Sequence, residues 1–351
     1  MKDINNYKLI KFYKFILIFT FILIIIIIKF YNNNKTNKEK NYWYNKFIFT
    51  NEMIKNYENL YSYNLYNVFK PNCTGYKIKY YTNKKIKGIC ICVVGKKENL
   101  YAKEFVEYYI NLKVDKIIVV DNNDIDGERF EDVLEYYILN NLVEIIDTRG
   151  ISSIQLPIYN YVYKKYSSDY DWIAFIDFDE YIFIKNNINI NNYLYNKRFE
   201  KCQVILLNWI FYDDNDLIEY DNRTLIDRFT RKSIHINKGK AIIRTGLKDI
   251  LIPTSMNPGI NVKYFCNSRG KRMFPLNFFH RNFAKNNLAF IKHFYTKTVK
   301  EFCNKITKGD IFHSQSNLYY NISIDNKIKM FFAINKKTKK KVRIINKCKI
   351  N

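Results

Sequence analysis

Four short apolar runs, set apart by amphipathic stretches of helical length, constrain this chain more than anything else in it. "GICICVV" (88–94), "KIIVVD" (116–121), "VEIID" (143–147) and "DWIAFID" (171–177) have the length and composition of strands. Between them, "YAKEFVEYYINLK" (101–113) sets Phe105, Tyr108, Tyr109 and Leu112 at helical spacing. "FEDVLEYYILNN" (130–141) does the same with Phe130, Val133, Leu134, Tyr137 and Ile138. "ISSIQLPIYNYVYKKY" (151–166) reads as a helix bent or started at Pro157. Such alternation predicts an α/β fold with a Rossmann-like, mostly parallel sheet covered by helices on both faces. Beyond residue 200 the pattern loosens: "QVILLNWIFY" (203–212) is a further strand, and 284–307 and 318–335 read as helical.

Ahead of this domain lies "FILIFTFILIIIII" (15–28), apolar and uncharged, which reaches membrane-spanning length when Leu9–Tyr31 is taken with its snorkelling lysines. No small-residue cleavage site follows, so residues 1–31 read as a cytoplasmic tip and retained transmembrane anchor. Residues 32–86, polar and rich in Asn, Lys and Tyr, read as a stem, and 87–335 as the folded domain. With the N-terminus inside, the protein is a single-pass type II membrane protein, placed in the Golgi or endoplasmic reticulum if eukaryotic. The sequons at Asn34, Asn72, Asn222 and Asn321 then face a lumen. The net charge of +25 comes from dispersed lysines, so no nucleic-acid partner is expected; only the tail, 336–351, concentrates charge, and it reads as a solvated end. The seven cysteines contain no CxxC pair, and Cys90 and Cys92 read as buried thiols on one side of a strand.

Ligands of open parallel sheets bind at the C-terminal strand edge. Here each strand ends in polar residues: Glu98 after the first, Asp121 to Asp126 after the second, Asp147 and Arg149 after the third, and Asp177, Asp179 and Glu180 after the fourth. Neither GxGxxG nor GxxxxGK[ST] is present, so a glycine cradle for phosphates is not expected. Asp177 and Asp179, flanking one residue, can offer two hard oxygen ligands to Mg²⁺ or Mn²⁺, which would screen a diphosphate and aid its departure. Side-chain alternation then turns Phe178 away from the ligand face. Asp213, Asp214 and Asp216 in "FYDDND" follow the fifth strand and are candidates for a general base.

The segments "KKENLYAKEFVEYYINLKVDKIIVVDNNDIDGERFEDVL", "VEIIDTRG", "YDWIAFIDFDEYI", "LNWIFYDDND" and "IKHFYTKTVKEFCNKITKGD" occur in an order and spacing that resembles glycosyltransferase family 92 and its family 2-like relatives, over about residues 87–340. The resemblance implies a GT-A fold, a nucleotide-sugar donor (a UDP-sugar), a divalent metal and inversion at the anomeric carbon. It implies Glu98 and Asp121 near the nucleoside, and Gln155 and Asn160 near the donor phosphates or sugar. Asp177 and Asp179 become the D-x-D pair, with Asp177 also touching the nucleotide sugar, and His293 becomes a further metal ligand. The acceptor would be a hydroxyl of a glycan or glycoconjugate, met by an enzyme bound to the membrane through its N-terminal helix. Lys292, where the family often has Asn, Lys96-Lys97-Glu98 and Gly259 depart from its pattern. Two other readings use the same residues: a nucleotidyl or phosphoryl transferase, and a non-catalytic sugar-binding membrane protein on a degenerate scaffold.

Overall fold

The strands begin where the apolar runs begin. In the computed structural model, which describes residues 87–151, 154–234, 238–247, 262–273, 287–307 and 317–350, β1 (Ile89–Gly95), β2 (Lys116–Asp121), β3 (Val143–Asp147) and β4 (Trp172–Phe175) pair in parallel in the order β3-β2-β1-β4. Every residue of β1, β2 and β4 is buried, which is why they read as continuous apolar runs. The intervening helices are α1 (Asn99–Asn111), α2 (Glu131–Leu139) and α3 (Gln155–Tyr166). Helix α3 starts two residues before Pro157, which therefore sits in the first turn, where its missing N–H removes no helical bond.

Past β4 the sheet becomes mixed, unlike the mostly parallel sheet read from the sequence. β5 (Glu180–Ile184), β6 (Val204–Phe211), β7 (Gly239–Arg244) and β10 (Ala289–His293) extend the order as β4-β7-β6-β10-β5. β7 is antiparallel to both β4 and β6, and β5 is antiparallel to β10, while β10 and β6 are parallel. The short strands β8 (Phe265–Asn267) and β9 (Arg272–Met273) add to the other half of β6. The helix expected over 284–307 is instead strand β10 followed by helix α6 (Val299–Thr307), because the five-residue run "AFIKH" is buried between β6 and β5. Two short helices precede it, α4 (Ile190–Leu194) and α5 (Leu225–Arg228).

The sheet must curl. Strand β5 stands four places from β4 along the sheet path, about 19 Å in a flat sheet. Yet the chain crosses from one to the other through a single hydrogen-bonded turn, in which Glu180 N donates to Asp177 O at 3.0 Å. Such a turn keeps its ends within about 7 Å, so only curvature lets it close the gap. The D-x-D sequence is this turn. Phe178 points into the core as side-chain alternation predicts, stacked on Phe130 with ring centroids 5.1 Å apart and packed on Phe105 at 4.9 Å. Gly95 makes room for it: a Cβ there would lie 2.4 Å from Phe178 and 2.5 Å from Phe130.

Residues 336–350 are not a solvated tail. After α7 (Asn317–Ile334), helix α8 (Lys339–Ile350) buries Ile345 in a cluster with Val299, Phe302, Ile306 and Phe331. It is bound to α6 by a Cys303–Cys348 disulfide; a second disulfide joins Cys202 to Cys266. Lys341 is buried within an ion pair to Asp214. Cys90 and Cys92 are buried free thiols, and burial pushes both upward from the usual thiol range. The proposed anchor, the stem, Cys73 and the sequons at Asn34 and Asn72 lie outside the described residues. Among the described residues no helix is long and apolar enough to cross a membrane.

Candidate active site

Strand directions decide which side chains meet. β4, β6 and β10 run the same way, so their C-terminal ends share one edge of the sheet with the first residues of antiparallel β5 and β7. That edge collects Asp177 and Asp179 after β4, Glu180 at the start of β5, Lys240 near the start of β7, and His293 at the end of β10. His293 and Glu180 are direct cross-strand partners. Phe294 N donates to Asp179 O at 2.8 Å, fastening the turn to the end of β10.

Each aspartate of the turn carries a lysine. Lys240 Nζ lies 2.8 Å from Asp177 Oδ2 and 3.3 Å from Glu180 Oε2. Lys305 of α6 lies 2.7 Å from Asp179 Oδ2, while Asp179 Oδ1 faces His293 Nε2 at 3.5 Å. Burial disfavours the Asp179 carboxylate, but Lys305 and His293 outweigh it and hold the group well below its usual range. Burial likewise opposes the charge on Lys240 and Lys305, and the neighbouring carboxylates overcome it, raising both. At Glu180 burial wins: its carboxyl is pushed well above the ordinary value despite Lys240. Burial lowers His293 from its usual value, against the pull of Asp179.

Glu180, whose purpose is not evident in the sequence, closes the turn. Its Oε2 accepts from Asp177 N at 3.0 Å. Its Oε1 has no hydrogen-bond partner and lies 3.8 Å from the equally unpartnered Nδ1 of His293. The imidazole thus has a carboxyl group on each nitrogen. Trp209 and Phe211 of β6 pack on its ring, each with centroids 4.7 Å away.

Asp179 Oδ1 and His293 Nε2 fit a divalent cation as a two-residue oxygen and nitrogen donor set. Asp177, expected as a third member, is engaged by Lys240 on the other side of the turn. Among the described residues no three His, Cys, Asp or Glu converge as a ready cation cage.

The other expected residues divide. Glu98, just before α1, pairs with Lys297 at 3.2 Å, and its charge acts on Lys305, so it belongs to the cluster. Gln155, buried at the start of α3, donates to the Tyr159 hydroxyl at 2.6 Å and leaves its Oε1 unpartnered. Tyr159 is close enough to Asp177 and Lys240 to feel both charges. Asn160 is buried on the same helix. Asp121 is turned inward: its carboxylate accepts from Asn123 N at 2.9 Å and Phe130 N at 3.3 Å and is sealed from solvent. This carboxylate ties the 122–130 loop and does not open toward a nucleoside. Asp213 binds Arg231 at 2.6 Å, and Asp216 binds Arg231 at 3.1 Å and Lys341 at 2.9 Å. Asp214 is fully buried on Lys341 at 2.8 Å, so the base role considered for it is corrected to a structural one.

Sequence reasoning missed Lys305 as a site residue. In a chain this rich in lysine nothing marks it, except its place on a helix whose neighbours Val299, Phe302, Cys303 and Ile306 are all apolar and buried.

The Glycosyltransferase family 92 model matches residues 87–309. No curated protein matches the chain. Among solved structures, Staphylococcus aureus TarS is similar at 13% identity and a TM-score of 0.36, over 70% of this chain and 43% of that one, so the chain spans less than half of TarS. TarS 1-349 in complex with UDP-GlcNAc is similar at 13% identity and a TM-score of 0.33, over 70% and 71% of the two chains. The mannosyltransferase PcManGT from Pyrobaculum calidifontis, in complex with GDP-Man and Mn2+, is similar at 10% identity and a TM-score of 0.26, over 46% of each chain.

Proposed function

The chain belongs to glycosyltransferase family 92, and from that premise we propose that it transfers a sugar from a nucleotide-sugar donor, a UDP-sugar in this reading, to a hydroxyl of a glycan or glycoconjugate. The observation that carries the reading is the gathering of Asp177, Asp179, His293, Lys240 and Lys305 at one sheet edge, around a turn that a core aromatic holds in place. We take the curled sheet as the GT-A arrangement.

In the transfer, a bond forms between the acceptor oxygen and the anomeric carbon, and the bond from that carbon to the diphosphate oxygen breaks. The electron pair leaves with the nucleoside diphosphate, and the acceptor proton passes to a carboxylate. Asp213 and Asp216 remain the candidates for that base, Asp214 being sealed. Inversion follows from a single displacement of this kind. Lys240, Lys297 and Lys305 bring positive charge to the edge where the diphosphate develops its own negative charge. A bound Mg²⁺ or Mn²⁺, held by Asp179 and His293, would supply Lewis-acid neutralisation of the leaving group.

The disulfides Cys202–Cys266 and Cys303–Cys348 support placing this domain in an oxidising compartment, as a type II orientation in the Golgi or endoplasmic reticulum requires. The test is a panel of nucleotide sugars, screened for binding and for release of nucleoside diphosphate with and without Mn²⁺, on wild type and Asp179→Ala. Transfer that persists unchanged in Asp179→Ala removes the metal role. A panel in which no nucleotide sugar binds removes the transferase reading.

A further inference from the structure

Lys305 holds Oδ2 of Asp179, the carboxylate whose Oδ1 faces His293 as the candidate cation donor. Its ammonium donates to Asp179 Oδ2 at 2.7 Å and to Tyr295 O at 3.0 Å, and sits 4.0 Å from the centre of the Tyr295 ring. This is a built seat with three partners, not a chance surface pair. The helix that presents it is fixed from behind. Glu301, one turn earlier on α6, is buried in a two-pronged pair with Arg228 at 2.7 and 3.0 Å and accepts from the Tyr101 hydroxyl at 2.6 Å. Cys303 carries the disulfide to α8. The backbone at Lys305 is therefore held, while its four-carbon stem leaves the ammonium free to change partners.

Charge makes that change conditional. The two aspartates of the turn are balanced by two lysines, Lys240 and Lys305. A divalent cation entering alone at Oδ1 would meet the Lys305 ammonium across the same carboxylate, and Glu98, a further anion whose charge reaches Lys305, is already paired with Lys297. A nucleoside diphosphate entering alone would add at least two negative charges beside two aspartates. The pair together adds little net charge, and the diphosphate offers the Lys305 ammonium a new partner. The protein donors point the same way. With Asp179 and His293 as the adjacent pair and no third carboxylate, histidine or cysteine joining them among the described residues, the remaining positions fall to substrate phosphates and water, as hard cations accept.

We propose that Lys305 is a resident counter-cation that makes divalent-metal binding conditional on the nucleotide, by holding Asp179 until a diphosphate takes over its ammonium. This rests on the metal-dependent transferase reading above.

The experiment measures Mn²⁺ binding to the full-length protein in detergent, by loss of the free-ion electron paramagnetic resonance signal, alone and with saturating UDP or GDP, whichever binds. Wild type, Lys305→Met, Lys305→Arg and Asp179→Asn are compared after circular dichroism confirms that each is folded. Wild type should bind Mn²⁺ at least tenfold more tightly with the nucleotide than without it. Lys305→Met should bind Mn²⁺ alone at least tenfold more tightly than wild type and lose most of the coupling, and Lys305→Arg should restore it. Wild type binding Mn²⁺ equally well with and without nucleotide, or Lys305→Met matching wild type without nucleotide, overturns the proposal. If Asp179→Asn abolishes Mn²⁺ binding while Lys305→Met changes nothing, the lysine role alone fails. If Asp179→Asn binds Mn²⁺ and nucleotide as wild type does, the metal reading itself fails and takes the lysine role with it.

Discussion

Replacing Lys341 by Met should destabilise the protein far more than the loss of one lysine from a chain with 58 basic residues would suggest. Lys341 is 2% exposed, and its ammonium lies 2.8 Å from an Asp214 that is fully buried. At that distance and an effective dielectric of about 20, the gross attraction is about 6 kcal/mol. Desolvation offsets much of it in the intact pair, but methionine removes the attraction and leaves the carboxylate buried. The expected loss is about 3–5 kcal/mol, or on the order of 10 °C in Tm. Its pH dependence has a definite sign. Burial already raises Asp214 against the pull of Lys341. A carboxyl whose folded pKa lies above its unfolded value contributes most when protonated, and that contribution is lost as pH rises through the folded value. Without Lys341 the rise is larger, so the deficit should be full at pH 8 and shrink toward pH 5. Asp216, lowered mainly by its bond to Lys341, contributes stability above its unfolded value, so losing that partner shifts the deficit in the same direction. It is half exposed and adds little. The assay is thermal and urea unfolding of oxidised wild type, Lys341→Met and Lys341→Met/Asp214→Asn across that range. The double variant should recover much of the loss. A single variant within about 1 kcal/mol of wild type at pH 8, or a deficit that grows toward pH 5, would refute the reasoning.

Gly95→Ala should force Phe178 or Phe130 aside, costing about 1–3 kcal/mol and weakening donor binding, read by urea unfolding and nucleotide titration; unchanged donor affinity would detach the turn from its aromatic anchor. Glu301 is buried, yet Arg228, Tyr101 and Thr298 hold its carboxyl below the usual value. Its contribution is therefore present above the unfolded pKa and is lost as pH falls through the depressed folded one. Glu301→Gln should cost about 3 kcal/mol at pH 7 and progressively less as pH falls below the unfolded carboxyl value, as chemical unfolding across that range would show. Asp213→Asn and Asp216→Asn should separate the base candidates: the true base loses about 100-fold or more in kcat with donor KM unchanged, and the other changes neither by more than a few-fold.

The first half of the fold was legible because β1, β2 and β4 are buried on both faces and appear as unbroken apolar runs, while α1 and α2 carry clear helical spacing. The later strands were harder. "EYIFI", "GKAIIR" and "AFIKH" are short and carry charges that lie at the site edge, so their composition blurs the signal that would identify them. Misreading "AFIKH" as helix hid the pairing that sets His293 beside Glu180. The two aspartates of the turn stood out in the sequence by their place after an apolar strand. The ions on them did not, since Lys240 and Lys305 arrive from elements 63 and 126 residues away in sequence. Asp121 read as a donor contact and Asp214 as a candidate base because a carboxylate tying a loop and one holding a helix have the same composition as one facing substrate.

The pairing of β5 with β10 also sets an order of events during synthesis. Glu180 leaves the ribosome about 110 residues before His293, on the order of ten seconds at ordinary elongation rates. Through that interval β5 has neither its neighbour nor the histidine that will face its first carboxyl group, and it is an unpaired apolar edge of the kind that invites association with other chains. The edge that carries the candidate site is thus among the last parts of the molecule to be assembled, and a chain truncated before β10 would carry the carboxylates of the turn without the strand that gives them their geometry.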